Sequence, residues 1–587
     1  MKNKVIPELL APAGSAAMLL AALRCGADAV YLGGSAFNAR TGARNFSPDQ
    51  LREAIALCKN KGVRLYLTLN TMLTDRELPQ AIALAQTAID FGADALIVQD
   101  LGLMRRLHER FPNTPLHAST QCSVQTAAGM ALLCGLGVVR AVVPRECTRE
   151  EIAALLDHAP VDLEVFVYGA HCMAVSGQCL LSAALGDRSG NKGSCAQPCR
   201  LPWRVNGAFA SSYALSLKDL SLIDYVTEPP LDRIASFKIE GRRKRPEYAA
   251  AAVTAFRHAL DGKPPTVTKD ELRQAFSRDG FTQGYFLNKR DSDMFGRRDT
   301  KDTMPPALLQ KLRNMEYSRD RRQNIAAQPV QIDTIAQTKT QISALASSEK
   351  EIWLRFLSHE QIPRIAFEKN QKIFLPCDTP QKNIARWKAD VEIPAGIFGG
   401  GAAVLSQLRR AKEAGARRAM AHTLDGIALA RESGLIPVGG EGLQVCNSES
   451  LCALRDFGAE RAVVSPECTA SQLRDMRRVI PAGAVIYGRM ALMLMRVCPV
   501  RAAIGCKACG GNGAVIDRKG VRFPVRCKCA CAVMYNSRPI WLADKKLPEM
   551  DIRLFSFTTE SRAQCAAVLR DYADCKPCAG EFTRGKL

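Results

Sequence analysis

Eight short apolar runs, each followed by a stretch with helical spacing, fill the first 250 residues. This alternation constrains the fold more than any other feature of the chain. The runs fall at 8–11, 29–33, 64–70, 95–100, 116–121, 141–146, 163–169 and 236–242. Between them, segments such as 48–61 and 77–91 carry apolar residues at i, i+3 and i+4, and Gly-Ala-Asp marks the turn into the next strand at 26–28 and 92–94. Eight strands with intervening helices predict an α/β fold, a (β/α)8 TIM-like barrel over residues 1–262. A further run at 213–217 leaves an irregular barrel or an open sheet as alternatives.

Barrels of this kind place their chemistry at the carboxyl ends of the strands. The residues expected on that rim include Arg40, Asn70, Gln121, Arg145, Glu146, Lys238, Glu240 and Arg242. The seventh run breaks at Gly169 into a loop, 170–200, that carries Cys172, Cys179, Cys195 and Cys199 among glycines and serines. Four soft thiolates on a flexible loop converge readily on one metal ion or cluster. Burial as inert thiols is the alternative, disfavoured because the loop offers little apolar sequence around them.

Lys and Arg number 80 against 58 Asp and Glu, a net charge of +22 that favours an anionic partner, with nucleic acid the commonest. The first 30 residues look like a signal peptide, but Pro7 and Glu8 interrupt the apolar stretch and Arg24 closes it, so export is not expected. No apolar run is long enough to span a bilayer. The 22 cysteines then point to metal binding in a reducing cytoplasm rather than to a disulfide framework.

Residues 263–323 form a basic extension in which Lys289, Arg290, Arg297, Arg298, Lys311, Arg313, Arg319, Arg321 and Arg322 alternate with Tyr285, Phe286, Phe295 and Tyr317. Cations that neutralise phosphates and aromatic faces that stack on bases suit single-stranded RNA; a solvated face has the same composition. Residues 324–395 are expected to form a linker and a small intervening segment, and 396–587 a half-barrel repeat. The repeat is visible as AVVPRECT at 141–148 against AVVSPECT at 462–469, as VYG at 167–169 against IYG at 486–488, and in Gln121 and Cys122, with counterparts near Gln444 and Cys446. It carries its own cysteines, and Cys498, Cys506, Cys509 and Cys531 are expected to form a second metal site, either zinc or iron–sulfur.

The stretch EVFVYGAHCMAVSGQCLLS at 164–182 resembles the signature of peptidase family U32, the collagenase-like family. ELLAPAG at 8–14, NKGSCAQPCR at 191–200 and KIEGR at 238–242 extend the resemblance, while His171 stands where the pattern has an aliphatic residue. The repeat is similar to the C-terminal half of the long members. The resemblance implies a [4Fe–4S] cluster on Cys172, Cys179, Cys195 and Cys199, and an RNA base hydroxylase acting on 23S rRNA or tRNA with prephenate as cosubstrate. Arg40 and Arg242 are then candidates for holding the dicarboxylate, and Glu146 and Glu240 for moving protons. A collagenase-like peptidase is the alternative activity, and a scaffold that metal merely staples together is a third reading.

Overall fold

The computed structural model of the chain describes residues 6–206, 213–297, 304–317, 350–528 and 530–577. Its first barrel is closed. Strands β1 (Glu8–Pro12), β2 (Ala29–Gly33), β3 (Arg64–Leu69), β4 (Ala95–Val98), β5 (Leu116–Ala118), β6 (Val138–Val142), β7 (Asp162–Ala170) and β8 (Ser236–Ile239) run parallel, and β8 pairs with both β1 and β7. The segment read as an export-like N-terminus is thus a barrel strand and its helix, Ala16–Arg24. The 213–217 run makes only isolated bridges, from Tyr213 to Trp203 and from Leu217 to Phe295.

β6 begins three residues before its predicted start, because a charged residue sits inside it. Arg140 is buried and pairs with Glu8 at 2.9 Å; Glu8 also accepts from Tyr66 Oη at 2.7 Å and Ser236 Oγ at 2.9 Å. A buried charge is tolerated when it is paired and its remaining lone pairs are filled, so the amino-end plug of the barrel is polar.

The C-terminal region is a whole barrel, where half a barrel was expected. Strands β9 (Glu351–Phe356), β10 (Gln371–Pro376), β11 (Asp390–Glu392), β12 (Arg418–Ala421), β13 (Ile436–Gly439), β14 (Ala462–Val463), β15 (Ala482–Gly488) and β16 (Ile552–Phe557) are parallel, with β15 pairing to both β14 and β16. Its first three strands occupy the stretch expected to be an intervening segment; residues 324–349 of that stretch lie outside the described residues. The reason it escaped the sequence pattern is local: only a short 3-10 turn, His359–Gln361, stands between β9 and β10, so the strand–helix rhythm is missing there.

The two barrels meet through loops and helices at the carboxyl ends of their strands. Helix α1 (Leu101–Arg110) packs on α4 (Ser448–Asp456), and α2 (Ala127–Cys134) on α3 (Leu424–Ser433). The hydrogen bonds are reciprocal: Asn447 Nδ2 donates to Asp100 at 2.9 Å, and Thr126 N and Oγ1 donate to Asp425 at 2.8 Å each. The repeat register follows from the backbone. Ser123 and Gln444 each close a 3-10 turn at φ 56°, and Thr126 and Asn447 cap the next helices, so Gln444 answers to Ser123 rather than to Gln121.

The loops after β7 and β15 build a third element together. A five-stranded antiparallel sheet takes Trp203–Val205 from the first barrel, and Ala491–Met495, Asn512–Asp517, Arg522–Lys528 and Cys531–Tyr535 from the second. No helix among the described residues is long and apolar enough to cross a membrane.

Candidate active site

A cavity of about 680 Å3 opens at the carboxyl end of the first barrel, and Cys172, Cys179, Cys195 and Cys199 all line it. The chain delivers them through a braced loop. Backbone N–H groups of Val175 and Leu180 donate to Leu494 O at 2.8 Å and Leu492 O at 2.7 Å on the third sheet, and Met72 N donates to Asn191 O at 3.0 Å. Asn191 Nδ2 reaches Glu467 of the second barrel at 3.1 Å, and Trp203 Nε1 donates to Pro198 O at 2.8 Å. The loop is therefore held by hydrogen bonds from both barrels, and, against the expectation that it has little apolar sequence to bury, Met173, Ala174 and Leu181 sit in an apolar cluster with the third sheet.

Cys172 is exposed, and the other three thiols are partly covered. Burial pushes the Cys179 thiol well up, with the three neighbouring thiols adding to it. It pushes Cys199 to about 11, against the opposing pull of Arg200 and Arg278. Gln197 N–H donates to Cys195 Sγ at 3.3 Å. Among the described residues, no three His, Cys, Asp or Glu side chains stand together closely enough for a single metal ion. A four-iron cluster distributes its four thiolates over different irons and does not ask for that convergence.

Beside the thiols lies a corner of guanidinium groups. Arg40 donates to Glu240 through Nε at 3.3 Å and Nη2 at 3.1 Å, and Arg145 Nη2 donates to the other carboxylate oxygen at 3.2 Å. Burial opposes ionisation of Glu240, but Arg40, Arg145 and Arg242 outweigh it and hold the carboxyl at about 2. Arg242 donates to Thr68 Oγ1 at 3.0 Å and Asn38 Oδ1 at 3.1 Å, and its burial lowers it to about 10. This position depends on Gly33, where an added Cβ would stand 2.4 Å from the Arg242 Nη1. Lys238 is neutralised by Glu164 at 2.7 Å.

The structure thus brings Arg40, Glu240, Arg242 and the four loop cysteines to one cavity. It does not bring Glu146 there. That residue is fully buried outside the cavity lining, with neither carboxylate oxygen hydrogen-bonded, and burial raises it to about 7. Its neighbour Arg145 is the one that reaches the site. His171, the departure from the family pattern, lies buried edge-on to Tyr285 at 5.4 Å, and burial lowers it to about 3, so it stays neutral.

Arg145, expected on the rim but given no role, and Arg200 and Arg278, absent from the sequence reading, are further residues of the site. The repeat held a signal for the first of them: Glu146 recurs as Glu467, whereas Arg145 is replaced by Pro466. Among the described residues, nine Lys and Arg residues line the cavity against one carboxylate, Glu240. The basic extension contributes less than its composition suggests. Tyr285 and Phe286 are buried, and Phe295 packs on an apolar cluster. Tyr317 lies under Lys263 at 4.5 Å, while Lys311 and Arg313 are paired with Glu271 and Glu247. Those aromatic faces are taken up by the fold, which corrects the expectation that they stack on bases. Arg298, Arg319, Arg321 and Arg322 lie outside the described residues.

The second cysteine set also differs from expectation. Cys498 Sγ lies 3.3 Å from Cys527 Sγ. Cys531 is paired across its hairpin with position 528, one residue beyond Cys527, so strand alternation turns it to the opposite face, against Gly396.

A family model for peptidase family U32 matches residues 14–295. A collagenase of Porphyromonas gingivalis is 31% identical over 310 residues, covering 48% of this chain and 74% of its own length. This chain belongs to peptidase family U32. Within the family it is also 36% identical over 285 residues to the 23S rRNA 5-hydroxycytidine C2501 synthase of Escherichia coli, covering 48% of this chain and 42% of that protein. It is 32% identical over 266 residues to tRNA hydroxylation protein P1 of Bacillus subtilis, covering 43% and 63%. The chain therefore spans less than two thirds of the length of either RNA-hydroxylation relative.

Proposed function

We propose that this U32 protein is a cytoplasmic hydroxylase of a base in ribosomal or transfer RNA, dependent on an iron–sulfur cluster and on prephenate. One observation carries the reading: four thiols and nine cationic side chains line the same barrel-mouth cavity. The names of two relatives, a 23S rRNA 5-hydroxycytidine synthase and a tRNA hydroxylation protein, supply the substrate class.

The donor set fits a [4Fe–4S] cluster. All four donors are thiols, a backbone N–H points at Cys195 Sγ, and Arg200 and Arg278 offset the negative charge that four thiolates bring. When bound, the cluster supplies one-electron redox chemistry at the edge of the cavity. The chain's own residues do the rest. Arg40, Arg145 and Arg242 against the single charge of Glu240 leave two positive charges at one corner, the complement of a dicarboxylate such as prephenate. The remaining lining cations, Arg243, Lys244 and Arg297 among them, offer phosphate contacts for a base entering from an RNA strand.

Mass spectrometry of ribosomal and transfer RNA from a strain lacking the gene tests this reading. The expected result is one nucleotide that loses the mass of a single oxygen, restored by the wild-type gene and not by Cys172→Ala. Protein purified without air is expected to be brown and bleached by dithionite. Unchanged RNA together with peptide cleavage by the colourless protein would favour the peptidase activity that the name of the Porphyromonas relative carries.

A further inference from the structure

Residues 496–538, in the insert between β15 and β16, carry nine Lys and Arg against a single acidic residue, Asp517. That aspartate is spent on its own turn, where Oδ1 accepts from Lys519 N–H and Val521 N–H at 2.8 Å each. Two of the cations are also accounted for. Arg496 is buried against Glu151, and Arg526 lines a cavity at the mouth of the second barrel. Strand register sets others side by side. Ile516 pairs with Arg204 on one side and with Arg522 on the other, so these three side chains share one face of the third sheet, the arginines two strands or about 10 Å apart. Arg518 and Lys519 stand in the turn that joins the strands of Ile516 and Arg522. All four cations are exposed, and among the described residues no carboxylate pairs with any of them.

We infer that this face docks a double-helical stem of the RNA substrate, an inference that rests on the RNA-hydroxylase reading. Unpaired, exposed cations are the complement of backbone phosphates. The kind of RNA follows from what the face lacks. The aromatic residues of the sheet, Trp203, Phe523 and Tyr535, are all buried, so unpaired bases have nothing to stack on there. An A-form duplex is held through its phosphates and its shape, with no stacking required.

The position ties the face to the site. Arg297 lies over the Tyr213 ring at 5.1 Å, and both residues line the cavity of the first barrel. Tyr213 bridges to Trp203, and Arg204 is the next residue, so the basic face begins beside the cavity wall. A stem on the sheet leaves an adjoining unpaired nucleotide at the cavity mouth, where its base can enter.

Anisotropy titrations of the full-length protein with an RNA duplex of about 16 base pairs and with oligouridine of the same length test the assignment. In Arg204→Glu/Arg518→Glu/Arg522→Glu, duplex affinity near physiological salt is expected to fall by about tenfold or more and the salt slope by about three, while oligouridine affinity changes by less than about threefold. A control reversal on the second barrel, Arg364→Glu/Lys369→Glu/Lys382→Glu, also alters three exposed cations and makes the same change in net charge; it should leave duplex binding within about threefold. If the triple variant on the sheet melts early, Arg522→Gln alone reads the same contact, at about one unit of slope. Duplex binding that survives the sheet reversal, falls equally with the control, or falls no further than oligouridine binding overturns the inference. Duplex binding lost with the sheet reversal, together with RNA that keeps every hydroxyl when the gene is deleted, would instead sink the hydroxylase reading and leave the docking face standing.

Discussion

Glu240 is the residue on which the cationic corner depends. Among the described residues it is the only carboxylate lining the cavity, and it is bound by two guanidinium groups. Glu240→Gln leaves Arg40 and Arg145 without their counter-charge, a change expected to cost about 3–5 kcal/mol of stability at neutral pH. Because its folded-state value, about 2, lies below the ordinary 4.5, its stabilisation is complete above 4.5 and fades as pH falls towards 2. Denaturant titrations across that window should therefore show wild type and variant converging on acidification. Glu146 has the opposite sign. Its value is raised from 4.5 to about 7, so folding favours the protonated form and the wild type loses stability as pH climbs through that interval. Glu146→Gln should raise stability above pH 7 by about 3 kcal/mol and have little effect below 4.5, measured by the same titrations. The difference between the two glutamates was only partly legible in the sequence. Both follow barrel strands, and rim position alone made them equal candidates. Comparing the repeats separates them: Glu146 persists as Glu467, while Arg145 and Cys172 are replaced by Pro466 and Ala491. What the second copy gave up marks the site better than what it kept.

The cysteine loop takes its order from its neighbours: Met173, Ala174 and Leu181 are buried in an apolar cluster shared with the third sheet, and polar contacts tie down the rest. Asn191 is central: buried, its backbone oxygen accepts from Met72 N and its side chain reaches Glu467. Asn191→Ala removes the hydrogen bond to Glu467 and leaves that buried carboxylate poorer by one donor, a loss of about 1–3 kcal/mol. The expected readout is faster amide exchange across 189–200 with little change in the strands of the first barrel. The sequence disclosed the loop and its four thiols, because cysteine spacing survives without any knowledge of tertiary contacts. It disclosed much less about the second set, where the choice between Cys527 and Cys531 depends on which face of a strand each occupies. Composition was a poor guide in the basic extension as well. Tyr285 and Phe286 read as stacking platforms because charges surround them in the chain, yet both are core residues in space.

At the scale of the whole molecule, two barrels face each other through the ends where barrels do their chemistry, and only one of them keeps the cationic cavity. The mouth of the second opens on a smaller cavity of about 480 Å3 whose charges are paired: Arg355 binds Glu441 at 2.6 Å and Glu392 at 3.2 Å, and His422 lies 2.8 Å from Glu392. The second barrel also braces the first, supplying Glu467, Leu492 and Leu494 to its cysteine loop. The strand–helix alternation of the first barrel was readable because its strands are followed by helices in regular order. The second lost that rhythm between β9 and β10 while keeping the closed sheet. The reciprocal contacts give this arrangement a test. Asp425 accepts from three donors, Gln125 N, Thr126 N and Thr126 Oγ1, and Asp100 accepts from Asn447 and Ser450. Removing both carboxylates in Asp100→Ala/Asp425→Ala leaves buried donors unsatisfied on each side of the seam, at about 1–3 kcal/mol for each unsatisfied group. Each barrel retains its own closed sheet, so the cost falls on the coupling between them rather than on either fold. Calorimetry should show one cooperative transition in the wild type resolve into two in the double variant. A single transition merely shifted down in temperature would mean that the barrels do not fold as separable units.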